Sequence, residues 1–242
     1  MTDTFRPYDD ATQPVRAVAG YRKSLLRTPG QVPWPRIGSP ADATGPSFDP
    51  AALRPGEHDL AVVAPGRPRA LGQLIVVTGR VLDEDGRPVR NALLECWQAN
   101  AAGKYIHHND PSPVPIDPNF VGVGRVMTDE RGQYRIRTIK PGGYAVPFDG
   151  EGQLSGWWRP PHIHFSIFGP AFASRLVTQM YFPGEPLNER DLLLNSIRDQ
   201  AARLRLIGAF APELSTQDGA LGFRHDFVLR GRFETPFEDD HP

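Results

Sequence analysis

A single cysteine, Cys96, occurs in the 242 residues. An intrachain disulfide is therefore impossible, and so is a metal site built from a cysteine cluster. An excess of one charge is missing too: 27 basic against 28 acidic side chains leave a formal charge of −1. That balance argues against nucleic acid or a membrane surface as partner, since both select a strongly basic face. Long apolar runs are also absent. Nothing approaches the ~18 apolar residues of a membrane span, and the opening MTDTFRPYDD is charged where a secretory leader would be apolar. The expectation these absences leave is a soluble, cytoplasmic globular protein. What is present supports a folded core: 39% of residues are apolar, while 24 glycines and 26 prolines imply many turns and irregular connections.

The chain divides by pattern near residue 70. Residues 1–70 hold 11 prolines and few periodic apolar runs. Pro33-Trp34-Pro35 and Ser39-Pro40 cannot enter a helix interior or a central strand. Tyr21, Leu25, Leu26, Trp34 and Phe48 are more apolar than a disordered tail carries, so an ordered arm wrapped over a neighbouring surface, with a partner subunit as that surface, is expected. Residues 71–242 read as one β domain. Strands are expected at Gln73–Leu82, Arg90–Gln98, Arg125–Thr128, Tyr134–Ile139, His162–Phe168, Leu176–Phe182 and His225–Leu229, with turns at Asp83-Glu84-Asp85-Gly86 and Asp129-Glu130-Arg131-Gly132, the latter closing a hairpin. Asn188–Leu204 has helical spacing of its apolar residues and no internal Gly or Pro. Seven to eight strands with one peripheral helix, and no βαβ alternation, give an all-β antiparallel sandwich.

The most informative segment is Trp157-Trp158-Arg159-Pro160-Pro161-His162-Ile163-His164-Phe165. In an extended strand His162 and His164 point to the same face, where two imidazoles can share a metal ion. An isolated His-x-His is more often a pair of solvated or hydrogen-bonded imidazoles. Here apolar Ile163, Phe165 and Ile167 flank the pair, and polar rings in a packed sheet need partners. Further ligands must be Asp, Glu, Tyr or another His. Tyr105, in GKYIHH, and Tyr144, after Lys140-Pro141-Gly142-Gly143, both occupy positions expected to be loops. Either alone reads as a half-buried aromatic with its hydroxyl bonded to backbone. Beside the histidines they form a coherent set, because phenolate is a hard anion whose pKa of ~10 falls steeply on a trivalent cation. Such a set would favour Fe(III) over Fe(II). A copper site on the His-x-His strand is the alternative, and it leaves the tyrosines without a role.

The segments GKYIHHND, DPNFVGVGRVMTDERGQYRIRTIKPGGY, WWRPPHIHF and LVTQMYF resemble the intradiol ring-cleaving dioxygenases, over most of the chain from Tyr21 to FVLRGRFETPFE. The resemblance implies a β-sandwich holding non-haem Fe(III) by Tyr105, Tyr144, His162 and His164. It implies cleavage of a catechol by O2 between its hydroxylated carbons, in aromatic-compound catabolism, with protocatechuate as substrate and 3-carboxy-cis,cis-muconate as product. Tyr144 would leave the metal and take a substrate proton, and Arg159 and Gln179 would lie beside the reacting ring. Tyr21, Trp97, Val146 and Leu193 are the expected substrate contacts. The partner implied is an α subunit of related fold, with several αβ pairs in one assembly.

One departure bears on specificity. Protocatechuate-cleaving members continue Pro-Trp after the second tyrosine, the indole forming a pocket wall; this chain has Ala145-Val146 and a longer stretch, Pro147 to Gly156. Phe148, Trp157 or Leu193 could replace part of that wall. Another catechol (sulfonated, unsubstituted or a hydroxyquinol) is the rival substrate, and a non-catalytic structural subunit the rival outside catalysis. The remaining signals are bland: Gly122-x-Gly124 lacks the third glycine of a dinucleotide loop, His107 and His108 sit in a polar loop, His58 and His225 have no ligand-like companions, and Cys96 reads as a small packed residue.

Overall fold

Alternation along the strands sets the architecture. The computed structural model describes residues 10–31, 49, 51, 53–107, 110, 112–148, 153–169 and 175–238, and among these it has eleven strands. They are β1 Leu74–Leu82, β2 Leu93–Trp97, β3 Val123–Met127, β4 Gln133–Ile139, β5 Tyr144–Phe148, β6 Leu154–Arg159, β7 His162–Phe168, β8 Arg175–Tyr181, β9 Ala209–Phe210, β10 Leu221–Arg224 and β11 Phe227–Val228. One sheet runs β3-β2-β7-β8, the other β11-β1-β10-β9 with β4 also on β1, and β5 with β6 forms a separate hairpin. On β7, Ile163, Phe165 and Ile167 are completely buried and alternate with His162, His164 and Ser166 on the opposite face. The first set joins Val77, Ile136, Leu94, Met180 and Phe227 in a core drawn from both sheets. The β-sandwich expectation holds.

Several local expectations do not. The expected hairpin across Asp129–Gly132 has its turn, with Asp129 Oδ1 accepting from Arg131 N and Gln133 N at 2.8 Å. However, the turn joins different sheets: β3 pairs with β2, and β4 pairs with β1. The pairing is not wholly antiparallel either, since β10 and β11 both lie parallel to β1. The single helix over Asn188–Leu204 is instead a 3-10 turn at Pro186–Arg190 and two short helices, α2 Leu192–Ser196 and α3 Gln200–Arg205. The cause is local chemistry. Asp191 and Asp199 each accept hydrogen bonds from backbone N–H groups ahead of them, so each begins a new helix inside the periodic stretch. Tyr144, expected after a turn, opens β5, and Pro147 and residues 154–156 belong to the paired strands β5 and β6.

The described part of the N-terminal segment packs on its own chain. Asp199 N donates to Ala11 O at 2.9 Å, and Val15 N donates to Ser196 Oγ at 3.2 Å. The segment then forms α1, Arg22–Arg27, capped at Tyr21. Leu60, Ala61 and Ala70 belong to the main core. Trp34 and Phe48 lie outside the described residues, as do His108 and the Phe148 side chain. No helix among the described residues is long and apolar enough to cross a membrane.

Candidate metal centre

Register builds the site. Trp97 and Gln179 are the cross-strand partners of His164, and Tyr181 is that of His162, so these side chains share the polar face of β7. Trp97 stacks flat on His164, with ring centroids 4.9 Å apart. The two tyrosines arrive from outside this sheet, and close backbone approach lets them meet. A Cβ on Gly142 would lie 2.4 Å from Ala101 O, and one on Gly103, at φ +82°, would lie 2.4 Å from Gly143 O. Only with glycine at these places can the chain leading into Tyr144 lie against the chain leading into Tyr105. Lys104 ties down the segment after Tyr105 through Asp110 O and Ser112 O, while Asp110 Oδ2 accepts from Tyr105 N at 2.8 Å.

The four expected donors converge. Tyr105 Oη is 2.9 Å from His164 Nε2 and 3.4 Å from His162 Nε2, and the two Nε2 atoms are 3.2 Å apart. The Tyr105 and Tyr144 rings meet edge to face at 5.4 Å, and Tyr144 lies 5.6 Å from His162. The outer nitrogens decide the tautomers. His162 Nδ1 is 2.7 Å from Pro160 O, which can only accept, and His164 Nδ1 is 2.8 Å from Glu238 Oε2. Burial pushes the Glu238 carboxyl up, but the hydrogen bonds and charge of its surroundings, from His164, Arg159 and Gln179 together, hold it below its ordinary value, so it too accepts. Both histidines therefore carry hydrogen on Nδ1 and turn a lone pair inward from Nε2. Burial, Arg159 and His164 keep His162 neutral by lowering its pKa well below the usual value.

Two lone pairs 3.2 Å apart beside phenolic oxygens form an electron-rich cluster that a cation would relieve. Burial pushes the Tyr105 and Tyr144 phenols above their ordinary pKa, and a highly charged ion among the donors is what reverses that direction. Among the described residues no group of three His, Cys, Asp or Glu is arranged to hold a metal ion. The cluster qualifies as a metal site only through its tyrosines, and its hard O2N2 donor set fits ferric iron.

Arg159 lies across the β5–β6 hairpin from Tyr144 and is buried. Its Nε donates to Asp191 Oδ2 at 2.7 Å, and Nη2 donates to Gln179 Oε1 and Tyr181 Oη. Burial is the strongest influence and opposes the charge, but Asp191 together with Tyr181, Tyr144 and Tyr21 outweighs it and keeps the guanidinium a cation. The expected wall residues gather on the other side. Tyr21, Val146 and Leu193 pack with Val18, Trp157 and Tyr144 in one apolar cluster, with Tyr21 edge-on to Trp157 at 5.2 Å. Trp97 is separate from them, against His164. Asp191, Tyr181, Val18 and Glu238 escaped the sequence reading, as did Arg22 and Lys23, which line a cavity of about 100 Å³ with Tyr21, Val146 and Pro147. Only Glu238, a carboxylate after an apolar Pro-Phe pair, offered a signal that could have been noticed.

The fold is a β-sandwich that gathers two phenols and two imidazoles on one face of a sheet. The dioxygenase family model Dioxygenase_C matches residues 43–231, and the chain belongs to that family, the intradiol ring-cleaving dioxygenases, which are oxidoreductases. A protocatechuate 3,4-dioxygenase beta chain from Burkholderia cepacia is 48% identical over 232 residues, 96% of each chain. The alpha chain of a protocatechuate 3,4-dioxygenase from Pseudomonas putida is 30% identical over 89% of this chain and 97% of its own. In structure, the chain resembles 3-chlorocatechol 1,2-dioxygenase from Rhodococcus opacus 1CP, with a TM-score of 0.54 and 26% identity over 76% of this chain and 70% of that one. Non-haem iron is the cofactor of the family.

Proposed function

We propose that this chain is the iron-bearing β subunit of a protocatechuate 3,4-dioxygenase, cleaving protocatechuate with O2 to 3-carboxy-cis,cis-muconate in the β-ketoadipate pathway. The observation that carries the metal assignment is the pair of Nε2 lone pairs 3.2 Å apart with Tyr105 Oη within 3.4 Å of both. Tyr105, Tyr144, His162 and His164 hold Fe(III), which when bound supplies Lewis-acid activation of the catechol ring toward O2.

The chain's own groups do the rest. Tyr144 Oη accepts a proton from a catechol hydroxyl; burial opposes its phenolate form, and Arg159 across the hairpin favours it. Arg159, held in orientation by Asp191, Gln179 and Tyr181, offers a fixed positive charge to the electron-rich ring. Tyr21, Val146, Trp157 and Leu193 form a dry wall on one side of the ring, and Trp97 backs His164. Because Asp191 already balances Arg159, a substrate carboxylate needs another cation. Arg22 and Lys23 beside Tyr21, or the α subunit, would supply it.

The likeness to both alpha and beta chains supports an α/β hetero-oligomer; our reading sets it in the cytoplasm, with the Pro-rich segment of residues 1–70 reaching the partner. Ala145-Val146 favours one second reading, the same chemistry on another catechol. A structural subunit is disfavoured by the complete donor set.

The test is a visible spectrum of the protein purified with its α subunit, before and after anaerobic addition of protocatechuate. A broad red-brown tyrosinate-to-iron band that shifts on addition is the expected result. A band answering only to another catechol moves the substrate and keeps the chemistry. A colourless protein loaded with a different metal overturns the reading.

A further inference from the structure

The inner faces of His162 and His164 are alike, but their outer faces are not. His162 Nδ1 meets a backbone carbonyl, Pro160 O, two residues away in the link that precedes the strand. His164 Nδ1 meets a carboxylate, Glu238, 74 residues away near the end of the chain. Four contacts deliver that carboxylate. Thr235 N donates to Val228 O, Pro236 O accepts from Thr178 Oγ1 at 2.6 Å, and the Phe237 ring is buried. Glu238 N then donates to Val177 O at 2.8 Å, beside the part of β8 that pairs with His164. The backbone is thus fixed from Thr235 up to and including the residue whose side chain reaches the imidazole.

The other end of the chain secures this tail. Gln13 is buried. Its Oε1 accepts from Phe237 N at 2.8 Å, and its Nε2 donates to Glu234 Oε1 at 2.5 Å. One amide therefore bonds the tail at two points, three residues apart. The same N-terminal segment carries Tyr21 to Trp157.

We propose that Glu238 is a positioning residue for the metal centre, anchoring His164 and strengthening it as a donor, and that Gln13 is the pin holding the tail in place to do so. The proposal rests on the iron reading above. A carboxylate on the outer nitrogen of a metal-bound imidazole fixes the ring and raises its basicity, and loss of such a partner typically costs about 10- to 100-fold in metal affinity. The backbone carbonyl on His162 fixes the ring without contributing a full charge, so the two imidazoles are unequal donors. The N-terminal segment, the tail and the site then form one unit, in which releasing the first loosens the last.

Glu238→Ala, Glu238→Gln and Gln13→Ala, each purified with the α subunit, test this. Iron retained after dialysis against a chelator, and the position of the visible band, are read alongside the unfolding midpoint of the iron-free protein. Glu238→Ala is expected to lose iron about 10- to 100-fold more readily. Glu238→Gln keeps a neutral hydrogen-bond acceptor, so it should retain most of its iron while the band moves to longer wavelength, because a less basic His164 leaves iron more electron-poor. Gln13→Ala should show a weaker form of the Glu238→Ala loss. Wild-type iron retention in Glu238→Ala, or an unshifted band in Glu238→Gln, overturns the positioning role. If Glu238→Ala fails to fold, the Glu238→Gln band alone decides. Wild-type retention in Gln13→Ala overturns the pin. A wild-type protein that binds no iron would instead overturn the reading on which the proposal rests.

Discussion

Asp191 Oδ2 lies 2.7 Å from Arg159 Nε while the other oxygen of the same carboxylate accepts from Leu194 N and begins α2. One side chain thus neutralises the site's buried cation and starts the helix that places Leu193 in the pocket wall. Asp191→Asn keeps a cap but leaves Arg159 buried without its counter-charge. Such losses cost about 3–5 kcal/mol, so a clear drop in the urea midpoint is expected. Turnover should fall further than protein stability alone explains, since Arg159 loses its orientation. Urea unfolding and kcat on the same preparation check this.

Trp157 and Val146 face each other across β5–β6, two residues along from the Arg159–Tyr144 pair and on the same face. The Trp157 indole N–H is buried and has no hydrogen-bond partner among the described residues. A substrate bearing an acceptor on its ring could satisfy it. Trp157→Phe should raise KM for protocatechuate about tenfold, equivalent to ~1.4 kcal/mol, and leave catechol, which lacks the substituent, little changed. Equal effects on both substrates would count against a role in specificity.

Gly142 has backbone, not a yielding side chain, where a Cβ would go. Gly142→Ala should cost on the order of 2 kcal/mol, as overpacking of a tight site does. It should also push Tyr144 away from Tyr105. Iron content should fall before secondary structure does, which metal analysis and far-UV circular dichroism on one sample would distinguish.

His225 reports on acid stability. Burial lowers its pKa from 6.5 to about 4, with Asp226 opposing, and its Nε2 has no partner among the described residues. The unfolded chain binds this proton more readily than the folded one, so His225 adds no penalty above pH 6.5. Stability is then lost as pH falls from 6.5 toward 4, by up to about 3 kcal/mol at 1.36 kcal/mol per pH unit. Replacing His225 with Phe should flatten the melting temperature across that interval. An unchanged slope would assign the acid sensitivity elsewhere.

The sequence made the site more legible than the scaffold around it. His162 and His164 were readable because period-two geometry fixes their shared face whatever the neighbouring strands do. Strand pairing was not readable. Asp129–Gly132 has the composition of a hairpin turn, but nothing local states that the strands on either side belong to different sheets. Apolar spacing over Asn188–Leu204 suggests one helix, but Asp191 and Asp199 inside it each cap a new one and divide the stretch. β5 and β6 were missed because Gly143, Pro147 and Gly156 mask strand propensity, and these strands pair only with each other. Asp191 and Glu238 lay beyond reach for another reason: each acts on a residue far away in sequence, and only the folded backbone brings them together.

The parallel pairing of β1 with β10 and β11 joins residues 146 positions apart, as in the bond between Arg80 N and Asp226 Oδ1. At synthesis rates of about 5–20 residues per second, β1 emerges from the ribosome roughly seven to thirty seconds before those strands. Through that interval its inner edge has no mate, and its buried run LIVV is a hazard for misassembly. The last described residue, Glu238, is also the one that braces His164. On the proposed reading, full iron affinity waits for residue 238, and ribosome-bound nascent chains halted before residue 221 should hold iron about 10- to 100-fold more weakly than the released protein.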